Sequence, residues 1–155
     1  MFLPKFFFVT SGIGMDTSEL TAFDLALKNA GVSECNLVTV SSILPLGSKE
    51  IEPVNITPGT ITFCVMTRMD GKPGETIGAG LAYGFCKRDG ERFGVVSEHH
   101  GYHSKDYLRW MLEEKLNRMA EIRGLGLSDS RYYTETCEVK PDLMGTVIVL
   151  LVFMP

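Results

Sequence analysis

The chain has 155 residues, a formal net charge of −4 at pH 7 and 45% apolar residues. This length supports one domain with a sizeable core and is short for two. The 15 Lys and Arg residues are scattered through an acidic chain, which argues against a surface for nucleic acid or for an anionic membrane. We therefore expect a single domain over residues 1–155 with no nucleic-acid or membrane partner.

The cysteines and the apolar runs near the termini bear on the compartment. Four cysteines are spread along the chain without a Cys-x-x-Cys pair, which is typical of reduced thiols and favours the cytoplasm. The apolar run at 6–9 is shorter than a signal-peptide core. The run at 147–153 is far below the roughly 20 residues that a spanning helix needs. Both runs are predicted as strands rather than as targeting or membrane segments.

The rest of the chain alternates β-patterned segments with two helices. Strands are predicted from alternating or continuous apolar runs at 5–10, 37–40, 60–69, 77–86, 92–98, 131–139 and 146–153. A turn is predicted at 11–14. Six or seven strands with two single-sided helices predict a layered α/β sandwich (α+β), in which the sheets lie in the middle and the helices outside.

Both predicted helices are amphipathic. The first begins near residues 16–18, each of which can cap it, and ends before Gly31. Its apolar stripe includes Leu20, and Asp24 lies at the edge of that stripe. The second helix covers 104–123 and also ends before a glycine.

The pair Ser41-Ser42, which lies between the apolar run 36–40 and Ile43, carries the most functional information. A serine hydroxyl can attack the preceding peptide carbonyl when that bond is strained and polarised, and an ester then replaces the amide. β-Elimination would leave Ser41 as a new carboxyl terminus and, after hydrolysis, a pyruvoyl group at position 42. Taken alone, such a pair is more often a strand end that leads into a turn.

Four blocks of sequence support the first interpretation. They are Thr21–Asp24 with its continuation to Gly31, Asn36–Pro45, Pro73–Ile77 and Gly94–Gly101. In this order they resemble the pyruvoyl-dependent arginine decarboxylases, a family of small self-processing enzymes. Only the second block is specific by itself, so the resemblance depends on order and spacing over nearly the whole chain. It departs from the family pattern at Leu46 and Gly47, where another proline is expected, and at His99 and His100 beside Glu98.

The resemblance implies a four-layer αββα sandwich with mostly antiparallel sheets, assembled as a homotrimer. It also implies autocatalytic cleavage between Ser41 and Ser42 into chains of residues 1–41 and 42–155. Arginine would then be converted to agmatine and carbon dioxide through a Schiff base on a pyruvoyl group derived from Ser42. Amino-acid decarboxylation needs an electron sink that no side chain supplies, and the chain shows no Gly-rich phosphate cradle for pyridoxal phosphate. The pyruvoyl group is therefore the expected cofactor.

The resemblance also assigns roles to individual residues. Glu98 is the expected proton donor, since it ends an apolar predicted strand where a partly buried carboxyl group can deliver a proton; alone, it would be an edge charge facing water. Asn36 is expected to hydrogen-bond the scissile carbonyl, with a strand-start turn residue as the plain alternative. Asp24 matches the position that pairs with the substrate's guanidinium. Leu20 and the new carboxylate of Ser41 would line the same pocket.

Two alternatives stay open. An uncleaved homologue would form the same trimer and act as a binding or partner subunit, and the chemical state of Ser42 separates it from an enzyme. Decarboxylation of another amino acid such as histidine is the nearest competitor, although an acidic residue at position 24 favours a cationic substrate over aspartate. His99, His100 and His103 indicate a metal site only weakly, because they lie in a predicted loop without a carboxylate or cysteine to complete the set. No metal is expected.

Overall fold

The computed structural model describes residues 1–155 and contains nine strands and two helices. The strands are β1 (Phe6–Asp16), β2 (Asn36–Thr39), β3 (Ile43–Leu44), β4 (Lys49–Glu50), β5 (Ile61–Gly71), β6 (Thr76–Arg88), β7 (Glu91–Gly101), β8 (Ser128–Glu138) and β9 (Met144–Met154). The helices are α1 (Glu19–Asn29) and α2 (Lys105–Ile122). Neither helix has the length and apolar character that a membrane crossing needs.

The strands form two sheets that pack face to face. One sheet has the order β2-β5-β9-β1-β4 and the other has the order β3-β7-β6-β8. The pairs β1–β4 and β2–β5 are parallel, and all others are antiparallel. Helix α1 covers the outer face of the five-stranded sheet on β1 and β9, and α2 covers the outer face of the other sheet on β6, β7 and β8. The expected four-layer αββα sandwich is confirmed.

The central strand β9 shows why the core lies where it does. Its side chains alternate between two buried clusters: Val149 and Leu151 lie between the sheets, whereas Ile148 and Leu150 lie under α1. All four are fully buried. A strand covered on both faces reads as a continuous apolar run, which is the pattern that predicted it.

The turn predicted at 11–14 is wrong, because β1 continues to Asp16 and pairs with β9 throughout. Gly12 and Gly14 lie directly under α1. A Cβ atom on Gly12 would lie 2.0 Å from the Ala26 carbonyl oxygen, and one on Gly14 would lie 2.1 Å from that of Ala22. These glycines therefore permit close helix–strand packing and do not form a turn.

The same close packing explains why the buried face of α1 differs from the predicted apolar stripe. Ser18 caps the helix by accepting a hydrogen bond from the Thr21 N–H at 3.1 Å. The fully buried positions are the small residues Ala22 and Ala26, because nothing larger fits against the glycines of β1. Leu20, expected in the apolar stripe, points outward with 75% of its surface exposed.

The predicted end of a strand at Glu98 is also wrong. Strand β7 continues to Gly101, and His99 and His100 pair with Gly80 and Ala79 of β6. The first two histidines therefore belong to the sheet and not to a loop. The polar residues that follow the apolar run of β7 resembled the end of a strand. Pairing with β6 nevertheless continues β7 through these residues to Gly101.

Candidate active site

The serine pair lies where the chain crosses from one sheet to the other. Strand β2 ends at Thr39 in the five-stranded sheet, and β3 begins at Ile43 in the four-stranded sheet. Asn36 begins a strand of one sheet, whereas Ser42 directly precedes a strand of the other sheet. Ser41 is exposed and Ser42 is half-buried.

The main chain at Ser42 is fixed from its downstream side. Its carbonyl accepts a hydrogen bond from the Val96 N–H at 3.0 Å. Ile43 and Leu44 then pair with β7, and the fully buried Leu44 side chain covers Gly94. These contacts hold position 42 against β7 without using the peptide bond to Ser41.

The carbonyl of Ser41 belongs to the bond that the Ser42 hydroxyl would attack. It accepts a hydrogen bond from the Ile43 N–H at 3.0 Å, which closes a three-residue turn centred on Ser42. A donor at this oxygen polarises the carbonyl and can stabilise a developing negative charge. Within the protomer the amide of Asn36 has another partner, the Gly59 carbonyl at 2.9 Å. The role expected for Asn36 stays a prediction, and the Ile43 N–H is a donor that the sequence analysis did not identify.

Ser42 and Glu98, the two residues expected to be catalytic, are in direct contact. The hydroxyl of Ser42 donates to Oε2 of Glu98 at 3.0 Å. Glu98 lies on the same side of β7 as Val96, which faces the other sheet, while Ser97 on the opposite side donates to the Leu112 carbonyl of α2 at 2.8 Å. An ionised carboxylate in this position can take the hydroxyl proton, and a protonated one can return a proton to the same place.

Two cavities flank the serine pair. A cavity of about 500 Å³ lies at the edge of β7 beside α2, and its lining includes Ser42, Glu98, Glu114, Lys115, Arg118 and Met119. On the side of Ser41, a cavity of about 410 Å³ is mainly apolar and includes Phe2, Val40, Ile43, Phe63 and Phe153. The Ser41–Ser42 peptide bond therefore lies between a cavity lined by charged side chains and an apolar cavity.

Lys115 of α2 contacts the β7 main chain at Glu98. Its ammonium group lies 2.9 Å from the Glu98 carbonyl oxygen and 2.8 Å from Nδ1 of His99. Burial, with smaller contributions from Lys115, His103 and His100, holds the pKa of His99 below its ordinary value. A neutral His99 can accept the lysine hydrogen bond at Nδ1. No three His, Cys, Asp or Glu side chains are grouped as ligands for a metal ion.

Asp24 and Leu20 lie apart from the serine pair. Both are exposed on α1, which packs on β1 and β9, and neither lines the two cavities beside Ser41 and Ser42. One protomer therefore does not bring Asp24, Leu20 and the serine pair into one pocket. Their expected roles in substrate binding stay predictions and require a second protomer.

A cluster around Glu50 was also absent from the sequence analysis. Glu50 of β4 accepts hydrogen bonds from the hydroxyls of Tyr83 and Tyr133, the latter at 2.6 Å, and from Arg131 at 3.1 Å. Burial, followed by the hydrogen bond to Glu50, raises the pKa of both tyrosines. The cluster connects the segment that follows Ser42 to β6 and β8.

Glu50 and Lys115 differ in how far the sequence could have revealed them. Glu50 is a single carboxylate after a loop, which has no distinguishing pattern. Lys115 lies between the buried Leu112 and Leu116, so it is a charged residue in the apolar stripe of a helix.

Known proteins resemble the chain over most of its length. The family model for pyruvoyl-dependent arginine decarboxylase (PvlArgDC) matches residues 6–155. A pyruvoyl-dependent arginine decarboxylase of Archaeoglobus fulgidus is 33% identical over 157 residues, covering 98% of this chain and 99% of the relative. That of Methanocella arvoryzae is 38% identical, covering 74% of this chain and 72% of the relative. A third, from Methanosarcina acetivorans, is 38% identical, but the match spans only 63% of that relative.

The fold, the serine pair and the family match together define the class of this chain: it has the fold of a pyruvoyl-type decarboxylase. Within that class, the chain belongs to the pyruvoyl-dependent arginine decarboxylase family.

Proposed function

We propose that this chain cleaves itself between Ser41 and Ser42 and then decarboxylates arginine to agmatine and carbon dioxide. The observation that carries the proposal is the 3.0 Å hydrogen bond from the Ser42 hydroxyl to the Glu98 carboxylate in a chain of this family. The contact joins the proposed nucleophile of cleavage to the proposed acid of decarboxylation.

Cleavage starts from groups that are already in contact. The Ser42 oxygen attacks the Ser41 carbonyl carbon while its proton passes to Glu98, and the Ile43 N–H supports the carbonyl oxygen. The C–N bond breaks as the C–O bond forms, and the freed amine of residue 42 takes up a proton. Loss of the Cα proton of residue 42 then expels the Ser41 carboxylate. In the last step, water replaces the nitrogen of residue 42 with oxygen. The nitrogen leaves as ammonia, and a pyruvoyl group remains at position 42.

The residues around Ser42 fit such a group. The hydrogen bond from the Val96 N–H and the pairing of Ile43 with β7 hold position 42 by its downstream main chain, which cleavage does not break. When present, a pyruvoyl group supplies a carbonyl that can bind the substrate amine and accept electrons as carbon dioxide leaves. The protonated Glu98 would then supply the proton that takes the place of the lost carboxylate.

Arginine specificity and the trimer are linked parts of the proposal. Asp24 offers a carboxylate for the guanidinium, yet α1 lies on the far face of its own sheet from Ser42. A closed trimer would place α1 of one protomer against the serine pair of the next. In such a trimer Leu20, which is 75% exposed and lies one helical turn before Asp24, would be buried at the same boundary.

Mass spectrometry and carbon dioxide release test the proposal. The wild type should give two fragments that divide between residues 41 and 42, and the larger should begin with a pyruvoyl group. Ser42→Ala should remain a single chain because the attacking oxygen is absent, whereas Ser41→Ala, which keeps that oxygen, should still cleave. Arginine should be decarboxylated faster than histidine or aspartate. A wild type that retains its full mass after prolonged incubation would instead favour the uncleaved binding subunit.

A further inference from the structure

The edge of β7 is open beside Glu98. Strand β3 pairs only with Gly94 and Val95, and the Ser42 carbonyl receives the Val96 N–H, so the ladder stops there. In an antiparallel strand, alternate residues direct their N–H and C=O groups toward the same side. The Glu98 carbonyl therefore points toward the side where no further strand follows.

Lys115 closes this open edge. Its ammonium group donates to the Glu98 carbonyl at 2.9 Å and lies 2.8 Å from Nδ1 of His99, while α2 holds its Cα between the fully buried Leu112 and Leu116. The buried Nε2 of His99 has no hydrogen-bond partner, so Lys115 is the only side chain that forms a hydrogen bond with that ring. One side chain of α2 thus contacts two consecutive residues of β7.

Two side chains form hydrogen bonds with Glu98, and only one of these hydrogen bonds would survive the proposed cleavage. The Ser42 hydroxyl holds the carboxylate of Glu98 in the intact chain, but elimination of the ester removes that oxygen from residue 42. The Lys115 hydrogen bond reaches the Glu98 main chain and involves no atom that cleavage alters. After cleavage, Lys115 would be the remaining polar side-chain contact to Glu98.

We propose that Lys115 is a positioning residue for decarboxylation: it holds the Glu98 peptide in place after the Ser42 hydroxyl has been consumed. This inference rests on the proposed function. Lys115 also lines both the cavity that contains Ser42 and a neighbouring cavity of about 490 Å³ that contains Arg68 and His100. It acts through Glu98, so its loss should affect the rate of the chemical step more than substrate affinity.

The test compares Lys115→Met with Lys115→Arg and with the control Lys105→Met, which removes the same charge from an exposed position of the same helix. Lys115→Met should cleave within about threefold of the wild-type rate, while its kcat for arginine falls about tenfold or more and KM changes less than about twofold. Lys115→Arg, which keeps a cationic donor, should recover most of kcat. Lys105→Met should match the wild type.

A readout independent of turnover is the ¹⁵N resonance of His99 Nδ1, which is accessible because the chain has three histidines. It should shift in Lys115→Met and stay unchanged in Lys105→Met. An unchanged resonance, a kcat within twofold of the wild type, or a rise in KM alone would overturn the inference, as would loss of cleavage. If Lys115→Met does not fold, Lys115→Gln serves as the second variant under the same criteria. A cleaved wild type that does not decarboxylate arginine would overturn the proposed function, and the inference with it.

Discussion

Ser42 and Glu98 are 56 residues apart in sequence, yet the hydroxyl of one donates to the carboxylate of the other at 3.0 Å. The contact exists because β3 and β7 are neighbours and because Glu98 shares the side of β7 that faces the serine crossing. Under the proposed function, this contact gives one carboxyl group two tasks in succession: to accept the proton of the nucleophile during cleavage, and to return a proton during decarboxylation.

Glu98→Gln should separate these tasks. The amide oxygen can still accept the Ser42 hydrogen bond but does not take up the proton, so cleavage should slow and yet reach completion. Arginine turnover by the cleaved protein should fall by roughly a hundredfold or more, because the acid is missing. Carbon dioxide release and intact mass measure the two steps. Glu114→Gln, in the same cavity but without a contact to Ser42, is the control; equal losses in both variants would contradict the assignment.

Asp24→Asn tests the guanidinium site. Removing the counter-charge should raise KM for arginine by about tenfold to a hundredfold, the usual scale of a charge-assisted hydrogen bond, while cleavage stays normal. Glu19→Gln changes another exposed carboxylate at the start of the same helix and should have little effect. Steady-state kinetics on arginine check the difference. Equal KM values for Asp24→Asn and the wild type would mean that the guanidinium binds elsewhere.

The Glu50 cluster should contribute strongly to stability. The Glu50 side chain is 20% exposed, and Glu50→Ala leaves the Tyr83 and Tyr133 hydroxyls without their acceptor. The free energy of unfolding should fall by about 2 to 4 kcal/mol, the cost of leaving buried donors unpaired. Urea denaturation on the uncleaved Ser42→Ala background, at a fixed protomer concentration, measures this.

The exposed neighbour Glu52 provides the matched control, since Glu52→Ala should change the free energy of unfolding by less than about 0.5 kcal/mol. A Glu50→Ala variant as stable as Glu52→Ala would show that the cluster does not hold in solution.

His99 should make stability depend on pH. Its pKa in the folded protein is lowered from the ordinary 6.5, mainly by burial, so the unfolded chain binds more protons below that value. The contribution of His99 to the free energy of unfolding is fully present above pH 6.5 and is lost as the pH falls toward the pKa of His99 in the folded protein. His99→Gln should therefore lose less stability than its parent between pH 7.5 and 5.5, measured by urea denaturation on the Ser42→Ala background. Parallel losses in the two proteins would exclude this role for His99.

The helices were predictable because their signals are local. Ser18, one of the three expected caps, caps α1, and Ser104, the first residue of the second predicted helix, caps α2. Gly31 and Gly124 adopt the positive φ that ends a helix. The two catalytic candidates were identified through the resemblance. Their contact was not derivable, since it depends on the pairing of β3, a two-residue strand, with β7.

The errors in the sequence analysis have physical causes in the tertiary structure. Gly12 and Gly14 indicated a turn because glycine favours turns, but the reason for them is the close approach of α1. His99 indicated a loop, yet its hairpin partner keeps it in the strand and Lys115 forms a hydrogen bond with its Nδ1. Both outcomes depend on residues distant in sequence, which local propensity does not report.

The position of β1 bears on what a cut at residue 41 would do to the molecule. The first fragment would contain β1, α1 and β2, and β1 lies between β9 and β4, both of which belong to the second fragment. The short fragment is therefore interleaved with the long one and is not appended to it. Dilution alone would not release it, because its departure would break the ladder with β9 and uncover the apolar face under α1. Separation of the fragments would require denaturant, and their return to one another would be a folding reaction between two chains.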